Sequence, residues 1–238
     1  MTVKEVIDTL NYLANPEVII QKQKKFGIKT DTSLGIRHSD LSEIAKQIKR
    51  EFKKEERDNF SLELFDTGIY EAKILLTKVY NPKSVTEKQM EKWIKHFDNW
   101  EICDSFCMGL FSKSNFAVEK IIEWSSREKK FEKRASFATL ASYCMTDKQA
   151  ENKVYEQFLP IIIRESTDER LYVKKAVNWA LRSIGKRNKD LREIAIETAE
   201  KILEQDSRAA KWIARDAIRE LNLPNLSVLD YPRDIYRR

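Results

Sequence analysis

The sequence predicts an all-α fold in which antiparallel helix pairs stack into a solenoid. Apolar residues recur at helical spacing along nearly the whole chain, and no long strand-like alternation of apolar and polar residues occurs. Only five glycines and five prolines interrupt the 238 residues, a composition that favours helix. Similar helices also return about every 30–40 residues, a period typical of repeat architectures.

Thirteen helices are predicted, and turn-forming residues separate many of them. The clearest breaks are Asn15-Pro16, Asn81-Pro82, Thr146-Asp147 and residues 222–224. Ser39 or Asp40 is expected to cap the third helix, and Asp98 with Glu101 to form a capping box. The predicted helices span residues 3–13, 17–25, 40–50, 58–66, 69–79, 86–96, 99–111, 115–124, 130–145, 151–163, 170–186, 190–204 and 206–221.

Five of these helices resemble one another and define the repeat. Each follows another amphipathic helix, and most carry a small residue early, where close helix packing requires one. Paired helices at this period are typical of right-handed HEAT-like or armadillo-like solenoids, whose second helices line a concave groove. An irregular helical bundle is the alternative. The five segments are residues 70–80, 101–111, 133–143, 174–184 and 208–218.

The chain is divided into one solenoid domain, residues 1–224, and a C-terminal tail, residues 225–238. The tail has little periodicity and ends in cations. It is either a loose arm or a segment that packs through Tyr231 and Tyr236.

The net charge of +6 points to an acidic partner, nucleic acid before membrane, and a merely solvated basic surface is the alternative. No stretch approaches the roughly 20 apolar residues of a membrane span, and the N-terminus lacks a signal peptide pattern. An odd number of dilute cysteines, Cys103, Cys107 and Cys144, favours buried thiols in a reducing cytoplasm. With two histidines only, His38 and His96, no metal site is expected, and the motif of a nucleotide cofactor is missing.

The helix at 170–186 has two different faces. Val173, Val177, Ala180 and Ile184 cluster on one side, as a core face should. Nearly opposite lies a row of three cations and a tryptophan. Such a row suits phosphates and a base or sugar, although Trp179 could instead pack under the next helix pair. The row contains Lys175, Trp179, Arg182 and Lys186.

Two further clusters contain charged residues at helix positions that are otherwise apolar. Trp100 and Asp104 are four residues apart and share a helix face. Asp104 is surrounded by apolar neighbours, so it is either hydrogen-bonded structurally or faces a cavity that needs negative charge. Arg134 begins an alanine-rich helix and is a candidate phosphate ligand, or else an ion-pair partner of Glu128 or Glu132. Neither histidine falls within these clusters.

Together these segments resemble the AlkD-like family of bacterial DNA alkylation repair proteins, which are HEAT-like solenoids. The resemblance covers roughly residues 15–222 and implies removal of cationic alkylated purines, such as 3-methyladenine and 7-methylguanine, by cleavage of the N-glycosidic bond. It implies no cofactor, and duplex DNA as the partner of a monomer. It is carried by KKFGIKTDTSLGIRHSDLSEIAKQI, LFDTGIYEAKIL, DNWEICD, FEKRASFA and LYVKKAVNWALRSIGKRN.

The resemblance also implies roles for individual residues. Asp104 matches the catalytic carboxylate, Trp100 and Trp179 the tryptophans that pack on the deoxyribose, and Arg134 the arginine that holds a backbone phosphate. Arg182 matches a further groove arginine. The chain departs from the family pattern at four positions, of which the first two are still expected to contact DNA: Phe26 for a tyrosine, Arg37 for a glutamine, Asn99 for a tryptophan and Ser142 for a lysine.

This residue set suffices for the chemistry. A purine alkylated at N3 or N7 is already a good leaving group, so a carboxylate that stabilises the developing oxocarbenium charge replaces a strong general acid. Two alternatives stay open at this point. The solenoid binds damaged or branched DNA without cutting a bond, or it is a scaffold for an acidic protein.

Overall fold

The computed structural model describes residues 1–233, and within that range every regular element is helical. Two short 3₁₀ turns, Pro82–Ser84 and Phe111–Lys113, accompany fourteen α helices. The helices are α1 (Val3–Tyr12), α2 (Pro16–Phe26), α3 (His38–Glu51), α4 (Lys54–Asp66), α5 (Tyr70–Val79), α6 (Glu87–Ile94), α7 (Trp100–Gly109), α8 (Ala117–Ser125), α9 (Lys130–Thr146), α10 (Asn152–Glu156), α11 (Leu159–Glu165), α12 (Leu171–Gly185), α13 (Lys189–Leu203) and α14 (Arg208–Leu221).

The five similar segments form one row of stacked helices, α5, α7, α9, α12 and α14, each packed on the next. Within one pair of neighbouring helices, successive contacts join residues that are the same number of positions apart in the sequence. This requires the two helices to run parallel. Asn178 donates to Asp216 at 2.7 Å and Arg182 pairs with Glu220, both across 38 residues. The two cysteines of α7 contact carbonyl groups of α9 that both lie 28 residues further on. The predicted solenoid is therefore confirmed, and this set of helices is called the stacked row below.

Two hydrophobic clusters of buried residues run through the solenoid, and they meet where α7, α9 and α12 pack together. The predicted core face of α12 is confirmed, because all four of its residues are fully buried: Val173, Val177, Ala180 and Ile184. Trp179 is only partly buried and packs against both clusters. The three cysteines are buried free thiols, as predicted.

Two predicted helix boundaries are wrong. The helix expected at 151–163 is divided into α10 and α11, because Pro160 sits in the first turn of α11 and cannot continue a preceding helix. The helix expected at 58–66 begins at Lys54 instead. There the Glu56 carboxylate accepts a hydrogen bond from the Lys53 backbone at 2.9 Å, which stabilises an earlier first turn.

Both predicted N-caps are also wrong. Helix α7 is capped by Asn99, whose side chain accepts hydrogen bonds from the backbone N–H of Glu101 and Ile102, so Asp98 forms no capping box. Helix α3 begins after Arg37, which makes no side-chain capping bond, so neither Ser39 nor Asp40 caps it.

The connection between α2 and α3 turns at two glycines with left-handed backbone. Gly27 ends α2 with φ of 67°. Gly35 has φ of 77°, and a Cβ atom there would lie 2.1 Å from the carbonyl oxygen of Asn15. The end of α2, just before the first of these turns, lies beside the start of α7.

The tail packs against the end of α12 as far as it is described. Leu229 donates to the Lys186 carbonyl at 2.8 Å, and Tyr231 donates to the Arg187 carbonyl at 3.0 Å. Of the two alternatives for the tail, packing is the one observed at Tyr231, whose ring also lies 5.5 Å from the Arg187 guanidinium, while Tyr236 lies outside the described residues. Across residues 1–233 no helix combines the length and the apolar character that a membrane crossing needs.

Candidate catalytic carboxylate and nucleic-acid interface

Asp104 and Arg134 form a bidentate ion pair between α7 and α9. Arg134 Nε donates to Asp104 Oδ1 at 2.9 Å, and Nη2 donates to Oδ2 at 2.7 Å. Nη1 of the same guanidinium donates to the backbone carbonyl oxygen of Tyr172 on α12 at 2.6 Å. Arg134 thus links three consecutive helices of the stacked row and fixes the orientation of the carboxylate.

The alternative pairing of Arg134 with a glutamate of its own segment is wrong. Glu132 contacts Arg127 and Lys129 instead, at 3.1 and 3.2 Å. The partner of Arg134 comes from the preceding helix of the stacked row, which a local sequence window does not contain.

The Asp104–Arg134 pair is nearly enclosed, with side chains that are 16% and 7% exposed. Burial raises the pKa of Asp104 above its ordinary value, although the charge and hydrogen bonds of Arg134 oppose that rise. For Arg134, burial acts to lower the pKa, but Asp104 outweighs it and the pKa is raised. The carboxylate therefore depends on one partner for its charge, in a place where water screens electrostatic forces poorly.

Trp100 is the first residue of α7 and contacts the end of α2. Its indole Nε1 donates to the carbonyl oxygen of Phe26 at 3.0 Å. The two rings lie edge to face with centroids 6.2 Å apart, and Phe26 is 46% exposed. Trp100 is itself partly exposed and lies one helical turn before Asp104. Phe26 therefore joins the predicted site through Trp100.

Trp179 lies on α12, two helical turns after Tyr172, whose carbonyl group accepts the bond from Arg134. The four residues to which the resemblance assigns catalytic roles thus occupy three neighbouring helices of the stacked row, α7, α9 and α12. Direct contacts join Asp104 to Arg134, whereas Trp100 is tied to Phe26.

The cations of α12 differ in their availability. Lys175 is exposed. Arg182 and Lys186 both form close ion pairs with Glu220 on α14, so part of their charge is already neutralised. The face predicted to hold phosphates therefore contains one solvated lysine and two cations bound to a carboxylate.

The remaining predicted positions lie on either side of the site. Arg37 is exposed at the start of α3, next to His38. Ser142 is buried on α9 and donates to Ser112 Oγ at 3.0 Å, so this position faces the segment after α7 rather than solvent.

Glu101, which no motif had marked as functional, lies directly beside Trp100 and accepts three hydrogen bonds. The donors are Lys22 Nζ at 2.9 Å, Tyr70 Oη at 2.7 Å and His38 Nε2 at 2.8 Å. Burial alone would raise the pKa of Glu101, but these hydrogen bonds outweigh it and lower the pKa to about 2. The carboxylate joins α2, α3, α5 and α7 around the base of Trp100.

The sequence carried no usable signal for this network. Lys22, His38, Tyr70 and Glu101 come from four different helices, and no periodicity relates them. The only local hint is a glutamate in the first turn of α7 that is followed by apolar residues. His38 belongs to none of the clusters predicted from the sequence, but in the structure it contacts Glu101, the residue after Trp100.

Comparison with known families matches residues 6–221 to the model of a family described as DNA alkylation repair enzyme. The chain belongs to this family. The match spans almost the whole solenoid and agrees with the resemblance read from the sequence motifs.

Among solved structures, a protein from a new family related to the HEAT-like repeat DNA glycosylases, with affinity for branched DNA structures, superposes with a TM-score of 0.73. The two chains share 20% identity over 92% of this chain and 95% of that one, so the likeness establishes the fold alone. An engineered protein (TM-score 0.42, 16% identity, 77% and 89% covered) and a designed armadillo repeat protein (TM-score 0.34, 12% identity, 87% and 99% covered) are more distant. A search of curated proteins gives no match.

The stacked row brings the candidate site residues onto neighbouring helices. Its helices contain the carboxylate, both tryptophans and the α12 cations. Among residues 1–233 no group of three or more histidine, cysteine or acidic side chains is arranged to hold a metal ion.

Proposed function

We propose that the protein binds duplex DNA along the stacked row and hydrolyses the N-glycosidic bond of cationic alkylated purines of the 3-methyladenine and 7-methylguanine type. The proposal rests chiefly on one observation. Asp104 is a poorly solvated carboxylate, held by two hydrogen bonds from Arg134 and one turn away from the partly exposed Trp100. We further propose that it acts as a monomer in the cytoplasm.

The chemistry needs a fixed negative charge rather than a strong acid. The purine leaves with its positive charge neutralised, and positive charge develops on the deoxyribose. Asp104 stabilises that charge and orients the attacking water, while the faces of Trp100 and Trp179 favour a cationic sugar over a neutral one. Because the carboxylate is preorganised by Arg134, it does not need to reorient during the reaction.

Arg134 acts on DNA mainly through Asp104. Three of its five N–H donors are engaged by Asp104 and Tyr172, which leaves two for a phosphate. Arg134 is thus a positioning residue first, and the exposed Lys175 is the better phosphate contact on the neighbouring helix.

The test is release of 7-methylguanine from methylated duplex DNA by the wild type, by Asp104→Asn and by Asp98→Asn as the matched control. We expect a rate loss of roughly 10²–10³-fold for Asp104→Asn, which is the usual cost of one electrostatic stabiliser. Asp98→Asn should behave like the wild type. Equal release by Asp104→Asn and the wild type would remove Asp104 from its role.

A second function, binding of damaged or branched DNA without bond cleavage, is favoured by one feature of the same site. Both Asp104 oxygens are occupied by Arg134, so a water molecule or sugar must share them. This alternative predicts tight, salt-sensitive DNA binding with no base release by the wild type. If the wild type neither releases the base nor binds DNA, the remaining alternative is that the solenoid is a scaffold for an acidic protein.

A further inference from the structure

The last helix of the stacked row presents a basic and aromatic surface that the proposed site does not use. Helix α14 buries one face of small and aliphatic residues, and its opposite face carries four cations around a tryptophan. Trp212 is 40% exposed, although burying such a large ring would stabilise the fold. This set is called the α14 stripe, and it consists of Arg208, Lys211, Trp212, Arg215 and Arg219, which line an open depression of about 420 Å³ together with Asp216.

The charge of the α14 stripe is only partly compensated, since two of its cations have carboxylate partners and Arg208 interacts electrostatically with Glu169. Within residues 1–233, Arg208 and Arg215 form no salt bridge. Lys211 lies 3.2 Å from Asp206, a fully solvated carboxylate, and such an exposed pair contributes little. Arg219 pairs with Asp216 while its own side chain stays 76% exposed.

The α14 stripe continues the candidate DNA surface of α12. Lys174 on α12 lies over the Trp212 ring, with its Nζ atom 5.2 Å from the ring centroid. Because the two helices run parallel, the row that holds Lys175 and Trp179 leads directly to the α14 stripe. A DNA molecule that extends past Trp179 would therefore reach Trp212.

An exposed tryptophan between cations matches the chemistry of an unpaired nucleotide strand. A base that is not stacked in a duplex presents its flat face, and an indole ring stacks on it whatever the base. Paired bases do not present that face, and phosphates of either form are bound by the arginines. An acidic peptide would use the cations but would gain little from an exposed indole.

We propose that the α14 stripe binds an unpaired segment of a DNA strand, with Trp212 stacked on one base and Arg208, Lys211 and Arg215 on the flanking phosphates. This rests on the proposed function only in that the protein binds DNA. It adds a preference for duplexes interrupted by a gap or ending in a single-stranded extension, which the Asp104 site does not explain.

The experiment compares Kd for a blunt duplex and for the same duplex carrying a short single-stranded extension. Trp212→Ala should weaken binding of the extended duplex about 5- to 100-fold, as expected for loss of one stacked base, and leave the blunt duplex within twofold. Trp212→Phe should keep most of the affinity. Ile122→Ala, at an exposed apolar residue of α8, is the matched control and should change neither Kd.

Two results would overturn the proposal. The first is that Trp212→Ala weakens both DNAs equally or neither, with the melting temperature of the protein unchanged. The second is that polyglutamate displaces the extended duplex as well as an unlabelled single strand does, which makes the surface a general anion site. Failure of the proposed glycosylase is seen separately, since Asp104→Asn should lower base release from paired DNA and leave the preference for the extended duplex intact.

Discussion

At the scale of single residues, the Asp104–Arg134 pair combines a proposed catalytic role with a structural one. Two opposite charges, both largely withdrawn from water, satisfy each other through two hydrogen bonds. The net contribution of such a pair to stability is small, because the desolvation cost is similar to the attraction, but removing one partner leaves the other charge buried alone. A variant that removes one partner should therefore lower the free energy of unfolding more than a variant that replaces both partners with apolar residues.

We predict that Arg134→Ala lowers the free energy of unfolding by about 3–5 kcal/mol at pH 7, because Asp104 is left buried without its counterion. Urea unfolding of the purified protein measures the change. The double variant Asp104→Leu/Arg134→Met should recover much of the loss, since it removes both charges and keeps the volume. A double variant as unstable as Arg134→Ala would show that the ion pair itself stabilises the fold.

At the scale of helices, the contact between α12 and α14 controls how much positive charge is available to the proposed DNA ligand. Glu220 on α14 holds both Arg182 and Lys186, two of the three cations that the sequence assigned to phosphates. The fold thus keeps these side chains at the surface and restrains them with an acidic neighbour. In the proposed complex, the DNA phosphates must compete with Glu220 for them.

We predict that Glu220→Gln tightens DNA binding and steepens its salt dependence, because Lys186 is released for phosphates and Arg182 keeps only its longer contact with Asp216, at 3.8 Å. The slope of log K against log salt should become more negative by about 1–2, near 0.9 for each phosphate gained. Titrations at several salt concentrations provide the measurement. Glu200→Gln on α13 makes the same charge change at an exposed site of a different helix. An equal effect of that variant would show that the change in net charge alone explains the tighter binding.

The arrangement of the helices is also the part of the structure that the sequence predicted best. The period of the five similar segments predicted the stacked row, and the core stripe of α12 predicted which of its faces is buried. What could not be predicted is how side chains pair across the row. Arg134 lies 30 residues from Asp104 and Glu220 lies 38 from Arg182, so local charge patterns such as Glu132 beside Arg134 suggested the wrong partner.

At the scale of the whole molecule, a solenoid is held together by contacts between neighbouring units, and the first units of this chain meet at a single carboxylate. Glu101 accepts hydrogen bonds from Lys22 on α2, His38 at the start of α3 and Tyr70 on α5. The same glutamate adjoins Trp100. The network therefore ties the first turn of α7, which begins at Trp100, to three other helices.

We predict that Glu101→Gln lowers the free energy of unfolding at pH 7 by on the order of 2–3 kcal/mol, because Lys22 is left buried without its counterion. The folded-state pKa of Glu101 is about 2, well below the ordinary value of 4.5. A carboxylate with a lowered pKa contributes stability that is complete above its unfolded pKa and is lost as the pH falls towards its folded pKa. The gap between wild type and Glu101→Gln should therefore be constant above pH 5 or so and close between about pH 4.5 and 2.

Urea unfolding of both proteins across this pH range measures the gap, and Glu119→Gln on α8 is the control, since it makes the same substitution in a different helix pair. The raised pKa of Asp104 acts with the opposite sign but is common to both proteins, so it cancels in the difference. A gap that stays unchanged down to pH 2 would mean that Glu101 contributes through packing rather than charge. Closure of the gap would instead show that the Glu101 charge joins α2, α3 and α5 to the first turn of α7, one helical turn before the candidate catalytic carboxylate.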